Sequence, residues 1–367
     1  MDSRTNINLD WAIETKTAAS RAFLAVAGVI VVAGVAAPLF LSRSTIQDLF
    51  FILTMLVLAQ CWNLLAGYAG LVSVGQQAFV GFGAYAMFAA VSLAGFDPLL
   101  AILLGGLAAA LLSLPLGFFV FRLQGAYFAI GTWVVAEVVR LLLAQWRALG
   151  GGTGTSLPNS ATRDMWAVQL VADLFGVRSA QALDILTYWL ALILACLTMG
   201  FIYWLLRTRQ GLGLAAIRDN QEAARSVGVD AASLKWAVYV SVAFVTGLCG
   251  ALIYVQKARI SPDAAFSVVD WTAYVIFIVV IGGIGTLEGP IVGVIVFFLL
   301  QNSLADYGSW YLLVLGLIGI GVMLFAPRGL WGLFTDRTGI QFFPVRRRLV
   351  KRQDRSSTDN LQGGRDG

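Results

Sequence analysis

The sequence predicts an all-α, polytopic membrane bundle of about ten spans, and three observations carry that expectation. Hydrophobic residues make up 59% of the chain and charged residues only 12%, where a soluble domain carries roughly 25% charge. Mean hydropathy is +0.81. A water-soluble fold of this length has to cover its surface with polar groups, and lipid removes that requirement. The charges are also segregated: they gather at residues 1–21, 207–235 and 328–366, while most apolar runs hold none.

At about 1.5 Å of rise per residue, a helix crosses a ~30 Å hydrocarbon core in about 20 residues. On that ruler the spans are, in order, Ala22–Leu41, Leu49–Leu65, Val72–Leu93, Pro98–Val120, Tyr127–Trp146, Ile185–Leu206, Leu234–Val255, Trp271–Ile284, Ile291–Leu304 and Trp310–Phe325. The eighth and ninth are short and flank Gly-rich sequence, so the pair reads as two tilted spans or as a broken helix. Ala22–Leu41 exceeds the ~7–15 residues of a secretory h-region and follows a long polar stretch, which makes it a retained first span.

Basic residues orient the bundle. Lys16 and Arg21 precede the first span, Arg122 sits in a short turn, the loop Arg207–Lys235 is basic, and the tail carries Arg346, Arg347, Arg348, Lys351 and Arg352. All fall on one side if both termini are cytoplasmic; Arg147, Arg163 and Arg178 in the long stretch before Asp184 weigh the other way. The resulting division is a cytoplasmic N-terminal segment 1–21, a transmembrane domain 22–327 with a cytoplasmic loop 207–233, and a basic tail 328–367. Ser356–Gly367 is too polar to bury a core and is expected to be disordered.

Much chemistry is excluded. Histidine is absent, so there is no imidazole base, ligand or nucleophile partner. Cys61, Cys196 and Cys249 each lie in an apolar run and read as core residues, not as a disulfide framework. No P-loop is present, so ATP is not bound by one here, and no cofactor is expected. The net charge of +5 flanks apolar spans as cytoplasmic loops require, which argues against nucleic acid as a partner.

The most informative segment is polar. Leu214–Val227, bounded by Gly213 and Gly228, is rich in good helix formers. Leu214, Ile217, Ala224 and Val227 recur at helical spacing, and Arg218–Glu222 is an i, i+4 pair. The expectation is a short amphipathic helix, lying on lipid or its own bundle, or docking into a soluble partner.

The loop from Arg207 to Asp230, with its Ala215-Ala216-Ile217-Arg218-Asp219-Asn220 run, resembles the coupling loop of branched-chain amino acid ABC transporter permeases of the LivM type. Further matches follow in order: Gly67–Tyr85 (GYAGLVSVGQQAFVGFGAY), Leu123–Ile130 (LQGAYFAI), Gly151–Thr155 (GGTGT), Ile260–Phe266 (ISPDAAF), Gly282–Gly289 (GGIGTLEG) and Phe325–Trp331 (FAPRGLW). Many relatives carry His where this chain has Gln76, an amide that cannot take up a proton near neutral pH. The resemblance implies a non-catalytic subunit in the plasma membrane (the bacterial inner membrane), importing branched-chain or other neutral amino acids. Its implied partners are two ATP-binding subunits, a second homologous permease and an extracytoplasmic substrate-binding protein. The residues Leu214, Ile217, Arg218, Asp219, Glu222, Ala224 and Val227 would couple to the ATPases. A related permease for urea or short amides, or a secondary transporter, stays open as an alternative.

Candidate path residues are the buried polar groups and the glycines. Gly75, Gly81 and Gly83 in the first half, and Gly282, Gly283, Gly285 and Gly289 in the second, suggest one broken helix per half and a possible pseudo-repeat; close helix packing is the plainer account of each glycine. Gln60 and Asn63 share a face of the second span, and Gln76 and Gln77 open the third. Glu137 and Arg140 fall deep in the fifth span, either as a mutual ion pair or as groups recognising a zwitterion.

Overall fold

A chain segment surrounded by lipid must satisfy its backbone polar groups internally, and for non-alternating apolar runs the helix is the local solution. The computed structural model describes residues 11–14, 18–304, 310–338, 342–343 and 348–351. After strand β1 (Trp11–Glu14), helices α1 (Ala18–Ala36), α2 (Arg43–Asn63), α3 (Gln76–Ser92), α4 (Pro98–Val120) and α5 (Ala126–Ala144) make the first half. The long loop that follows holds strand β2 (Thr155–Ser156) and the short helices α6 (Asn159–Arg163) and α7 (Trp166–Phe175). Then come α8 (Ser179–Arg207), the polar α9 (Arg209–Asp219) and α10 (Gln221–Ser226), and α11 (Ala231–Lys257). Strand β3 (Arg259–Ile260) and one-turn α12 (Pro262–Ala265) lead to α13 (Tyr274–Gly282), α14 (Gly289–Leu304), α15 (Trp310–Phe325), α16 (Gly329–Thr338) and strand β4 (Arg348–Lys351).

Every span read from the sequence has its helix. Among the described residues, 7 helical segments are long and apolar enough to cross a membrane; α3 and α14 have 17 and 16 residues. α11 is the central helix, packed along α3 and α4. Glycines allow the crossing: a Cβ on Gly83 would strike the Gly247 backbone, one on Gly105 would lie 2.5 Å from Gly83 O, and one on Gly250 would strike Val80. For these glycines the close-packing account is the right one.

Successive spanning helices alternate in direction, which gathers the loops at two ends. One end carries α9, α10, α16 and the α4–α5 turn, where Trp236 of α11 packs on Gly117. The other carries α6, α7, α12 and the two-residue pairing of β2 with β3. β1 pairs antiparallel with β4, Trp11 opposite Lys351 and Glu14 opposite Arg348, so the two flanking segments of the bundle lie together.

Three expectations change. The polar linker is not one helix over Leu214–Val227: Asn220 is extended, at φ −159° and ψ 109°, and its side chain accepts from Ala223 N to cap α10. The segment assigned to the tail from residue 328 begins as helix α16, with Trp331 buried. Cys61 and Cys249 are buried as expected, but Cys196 is exposed on the outside of α8. The disordered stretch expected over Ser356–Gly367 lies outside the described residues.

Candidate functional site

A helix interrupted inside a lipid-embedded bundle leaves donors and acceptors that water does not reach, so neighbouring helices must supply their partners. Among the described residues, two interruptions of this kind lie at the α9 end, partly buried. Residues 69–75 join α2 to α3, after α2 has run on into a π-helical turn at Leu64–Tyr68, and residues 283–288 join α13 to α14.

α2 supplies the partners for the second break. Gln60 and Asn63 share one helical face and are fully buried. Asn63 is a two-pronged clamp: Nδ2 donates to Thr286 O at 2.7 Å and Oδ1 accepts from Gly285 N at 2.8 Å. Gln60 Nε2 donates to Leu287 O at 2.7 Å. The Thr286 hydroxyl closes the turn, donating to Gly283 O at 2.8 Å and accepting from Gly289 N at 3.0 Å. Gly285 has φ +75°, the left-handed region that favours glycine. A Cβ on Gly67 would lie 2.6 Å from Gly285 N, so the two breaks touch where only glycine fits.

The first break is held from α2 and α5. Trp62 Nε1 donates to Ser73 O at 2.8 Å, and the Thr132 hydroxyl accepts from Val74 N at 3.0 Å. Gln76 Nε2 donates to Leu58 O at 2.9 Å, and Gln77 Oε1 accepts from the Thr272 hydroxyl at 2.5 Å. Gln60 Oε1 and Gln76 Oε1 are buried without a partner among the described residues.

α9 reaches the same place from outside. Arg218 Nη1 donates to Gly67 O at 3.1 Å. A Cβ on Gly285 would lie 3.4 Å from that nitrogen, and one on Gly70 would lie 3.5 Å from Arg218 Cα. Asp219 Oδ1 accepts from Arg218 Nε and Nη2 at 3.3 and 3.2 Å. One guanidinium therefore sits where the polar linker meets both breaks.

The linker residues divide by direction. Leu214 and Ile217 are buried against the bundle, and Ala224 packs with Ile217 and Ala231. Asp219, Glu222 and Val227 face outward, Val227 being 77% exposed. The Arg218–Glu222 pair is not formed, because the break at Asn220 takes the two residues off a common helix; Glu222 accepts from Arg225 instead, at 3.3 Å.

The expected path residues do not share one site. Gln60, Asn63, Gly282 and Gly285 meet at the second break, where a Cβ on Gly282 would strike Gly289. Gln76 and Gln77 brace α3. Glu137 and Arg140 are elsewhere, on the half of α5 away from α9, and Arg140 Nη1 also donates to Asp263 Oδ1 at 2.7 Å. Glu288 borders the second break, accepting from Phe342 N at 3.1 Å and Phe343 N at 2.8 Å. Burial pushes its pKa up, against those backbone donors. Sequence reasoning missed Trp62, Thr132, Thr272 and Thr286. Thr132, within a Thr-containing apolar span, was the one most open to detection.

A family model described as the permease component of branched-chain amino acid transport systems matches residues 44–326. The high-affinity branched-chain amino acid transport system permease protein LivM of Escherichia coli (strain K12) is 28% identical over 332 residues, covering 87% of this chain and 76% of the relative. The protein of the same name from Salmonella typhimurium is 28% identical over the same share. The probable branched-chain amino acid transport permease protein LivM of Methanocaldococcus jannaschii is 25% identical over 247 residues, 66% of each chain. No solved structure is significantly similar.

Asn63→Ala removes the partner of the half-buried Gly285 amide and Thr286 carbonyl, at up to about 1–3 kcal/mol for each group left unsatisfied. Thermal unfolding in detergent should show the midpoint lowered by several degrees, and Gln60→Ala, which removes one bond, should lower it less. Glu288 sets a pH dependence. A carboxyl whose folded pKa is raised contributes stability that is full below its unfolded value and is lost as pH rises through the folded one. Glu288→Gln keeps the acceptor oxygen and removes the charge, so the variant should be more stable than the parent at pH 8 and equal to it at pH 4, read by the same melts.

Proposed function

Because the chain belongs to the family of permease components of branched-chain amino acid transport systems, we propose that it is the path-forming, non-catalytic subunit of an ABC importer for branched-chain or other neutral amino acids. Two partner ATPase subunits hydrolyse the ATP, a second homologous permease completes the path, and an extracytoplasmic binding protein delivers the substrate. The importer sits in the plasma membrane with the α9 end and both chain termini in the cytoplasm. The pairing of β1 with β4 supports that placement, and so does the basic character of residues 207–235 and of the tail. Residues 1–21 form the N-terminal segment, 22–327 the transmembrane domain and 328–367 the tail.

One observation carries the mechanism: Arg218, on the protruding linker, binds the backbone of the first break and lies against the second. The outward residues Asp219, Glu222 and Val227 meet the ATPase, while Leu214, Ile217 and Ala224 hold α9 and α10 to the bundle. When the ATPases close on ATP, a displacement of α9 is delivered through Arg218 to Gly67 and Gly285. Short glycine segments are where backbone angles change at least cost, so the movement reorients α3 and α14 and switches access to the path. Gln60, Asn63, Gln76 and Gln77 set the two breaks, and the unpartnered amide oxygens of Gln60 and Gln76 are available to the path once the breaks move. Glu137 lies off this junction, paired with Arg140.

The reading is tested on the complex reconstituted in liposomes. A charge-assisted hydrogen bond is worth about 1.5–3 kcal/mol, so Arg218→Ala should lower ATP-driven amino acid uptake about tenfold or more while ATPase association and hydrolysis persist. The double variant Glu222→Ala, Val227→Ala should instead weaken ATPase association. Wild-type uptake by Arg218→Ala would remove the proposed route.

A further inference from the structure

We infer that the outward face of α5 is a protein-facing, wetted wall, covered in the assembly by a second permease subunit and not by lipid. This rests on the importer reading above and adds to it the surface on which the second permease sits.

Charge is placed within the α5 span. Glu137 lies about 10 Å from one end of α5 and about 17 Å from the other, at about 1.5 Å per residue. That is inside the span, yet the side chains of Glu137 and Arg140 are 42% and 23% exposed. The pair is closed on itself, Arg140 Nη2 to Glu137 Oε1 at 2.5 Å, with Asp263 on the Arg140 Nη1. Its open side points away from the bundle. Ile130, Trp133 and Leu141 lie on the same helical face as Glu137, at i−7, i−4 and i+4, and all are exposed. Thr132, Ala136, Val139 and Leu143 mark the opposite, buried face.

The other outward surfaces differ. Among the described residues, α4, α8, α14 and α15 show no exposed charged side chain between their terminal turns. α4 presents Leu103, Leu107, Leu111 and Leu114, and α15 presents Leu313, Leu317 and Ile320. Hydrocarbon suits those faces. It does not hydrate a carboxylate and a guanidinium, and charged groups within spans turn toward protein or water for that reason. Within the membrane α5 therefore borders an aqueous space.

That space needs a second wall. Exposed side chains run along α5 from Tyr127 to Leu142, about 22 Å of helix, within the depth of the membrane. A soluble partner does not reach that depth, so the occupant is itself a spanning protein. A second permease of similar helical build meets that requirement, closing the space while leaving the strip Val134, Glu137, Arg140 and Leu141 on the water-filled path.

The test uses the whole importer in membrane vesicles. Cys196→Ser removes the exposed native thiol, and Cys61 and Cys249 are buried. Leu141→Cys and Val134→Cys then report the α5 face, with Leu111→Cys and Leu317→Cys as lipid-side references. The positively charged, water-soluble methanethiosulfonate MTSET should modify the α5 variants at least tenfold faster than the references. Mild oxidation with a cysteine scanned along the second permease should give a cross-linked pair between the two subunits. Rates equal to those at Leu111→Cys, or cross-links only between copies of this chain, would overturn the assignment. Uptake in the same vesicles separates the two readings: unreactive α5 with normal import removes only the face assignment, whereas reactive, cross-linked α5 with no amino acid import removes the substrate and leaves the face.

Discussion

The half-buried Gly285 amide takes its hydrogen-bond acceptor from α2, and Asn63 is the group that provides it. Without that bond the second break would carry an unsatisfied donor at Gly285 and, beside it, an unsatisfied acceptor at Thr286. The backbone could then lower its energy only by rewinding or by admitting water. The Asn63 carboxamide satisfies both groups at 2.8 and 2.7 Å, and the absence of a side chain on Gly67 is what lets the turn come close enough. The position of α14, the start of α16 beside Gly283 and the seat for Arg218 all follow from this turn.

The breaks are stable yet not rigidly built. The hydrogen bonds holding them come largely from single side chains of α2, α3, α5, α9 and the turn itself, not from a continuous ladder. Rearranging a few such bonds is cheaper than unwinding a helix, so two arrangements of the same bundle can lie within the reach of an ATP-driven partner. Arg218 suits the transmitting role because its guanidinium presents several donors in a fixed fork. Asp219 orients the fork from α9 while Nη1 is spent on Gly67. At the other end of the bundle the charged pair of α5 has a different task. It keeps one outward face compatible with water, where the remaining faces are apolar.

How much of this was legible in the sequence depends on the range of the interaction. The spans were legible because rise per residue and membrane thickness fix their length, and the breaks were legible as clustered glycines. Gln60 and Asn63 were visible as buried amides, but their partners are carbonyls and an amide more than 220 residues away, and no periodicity reports that. The i, i+4 spacing pairs Arg218 with Glu222 only on an unbroken helix. Asn220, a strong cap residue between them, was the overlooked signal. The depth of Glu137 and Arg140 was read from the length of their run, while their exposure depends on which helices pack against α5. Cys196 went the same way: an apolar run says a residue leaves water, not whether it meets protein or lipid.

The central claim is that the Asn63–Gly285 turn is the element that the linker moves. Hydrogen exchange of the peptide spanning residues 283–289 reports it most directly, because the Gly285 amide exchanges only when its bond to Asn63 opens. In the assembled importer, exchange of that peptide should speed up during ATP turnover relative to the nucleotide-free state, and Arg218→Ala should abolish the difference. Exchange that is indifferent to nucleotide in the unaltered complex would contradict the account.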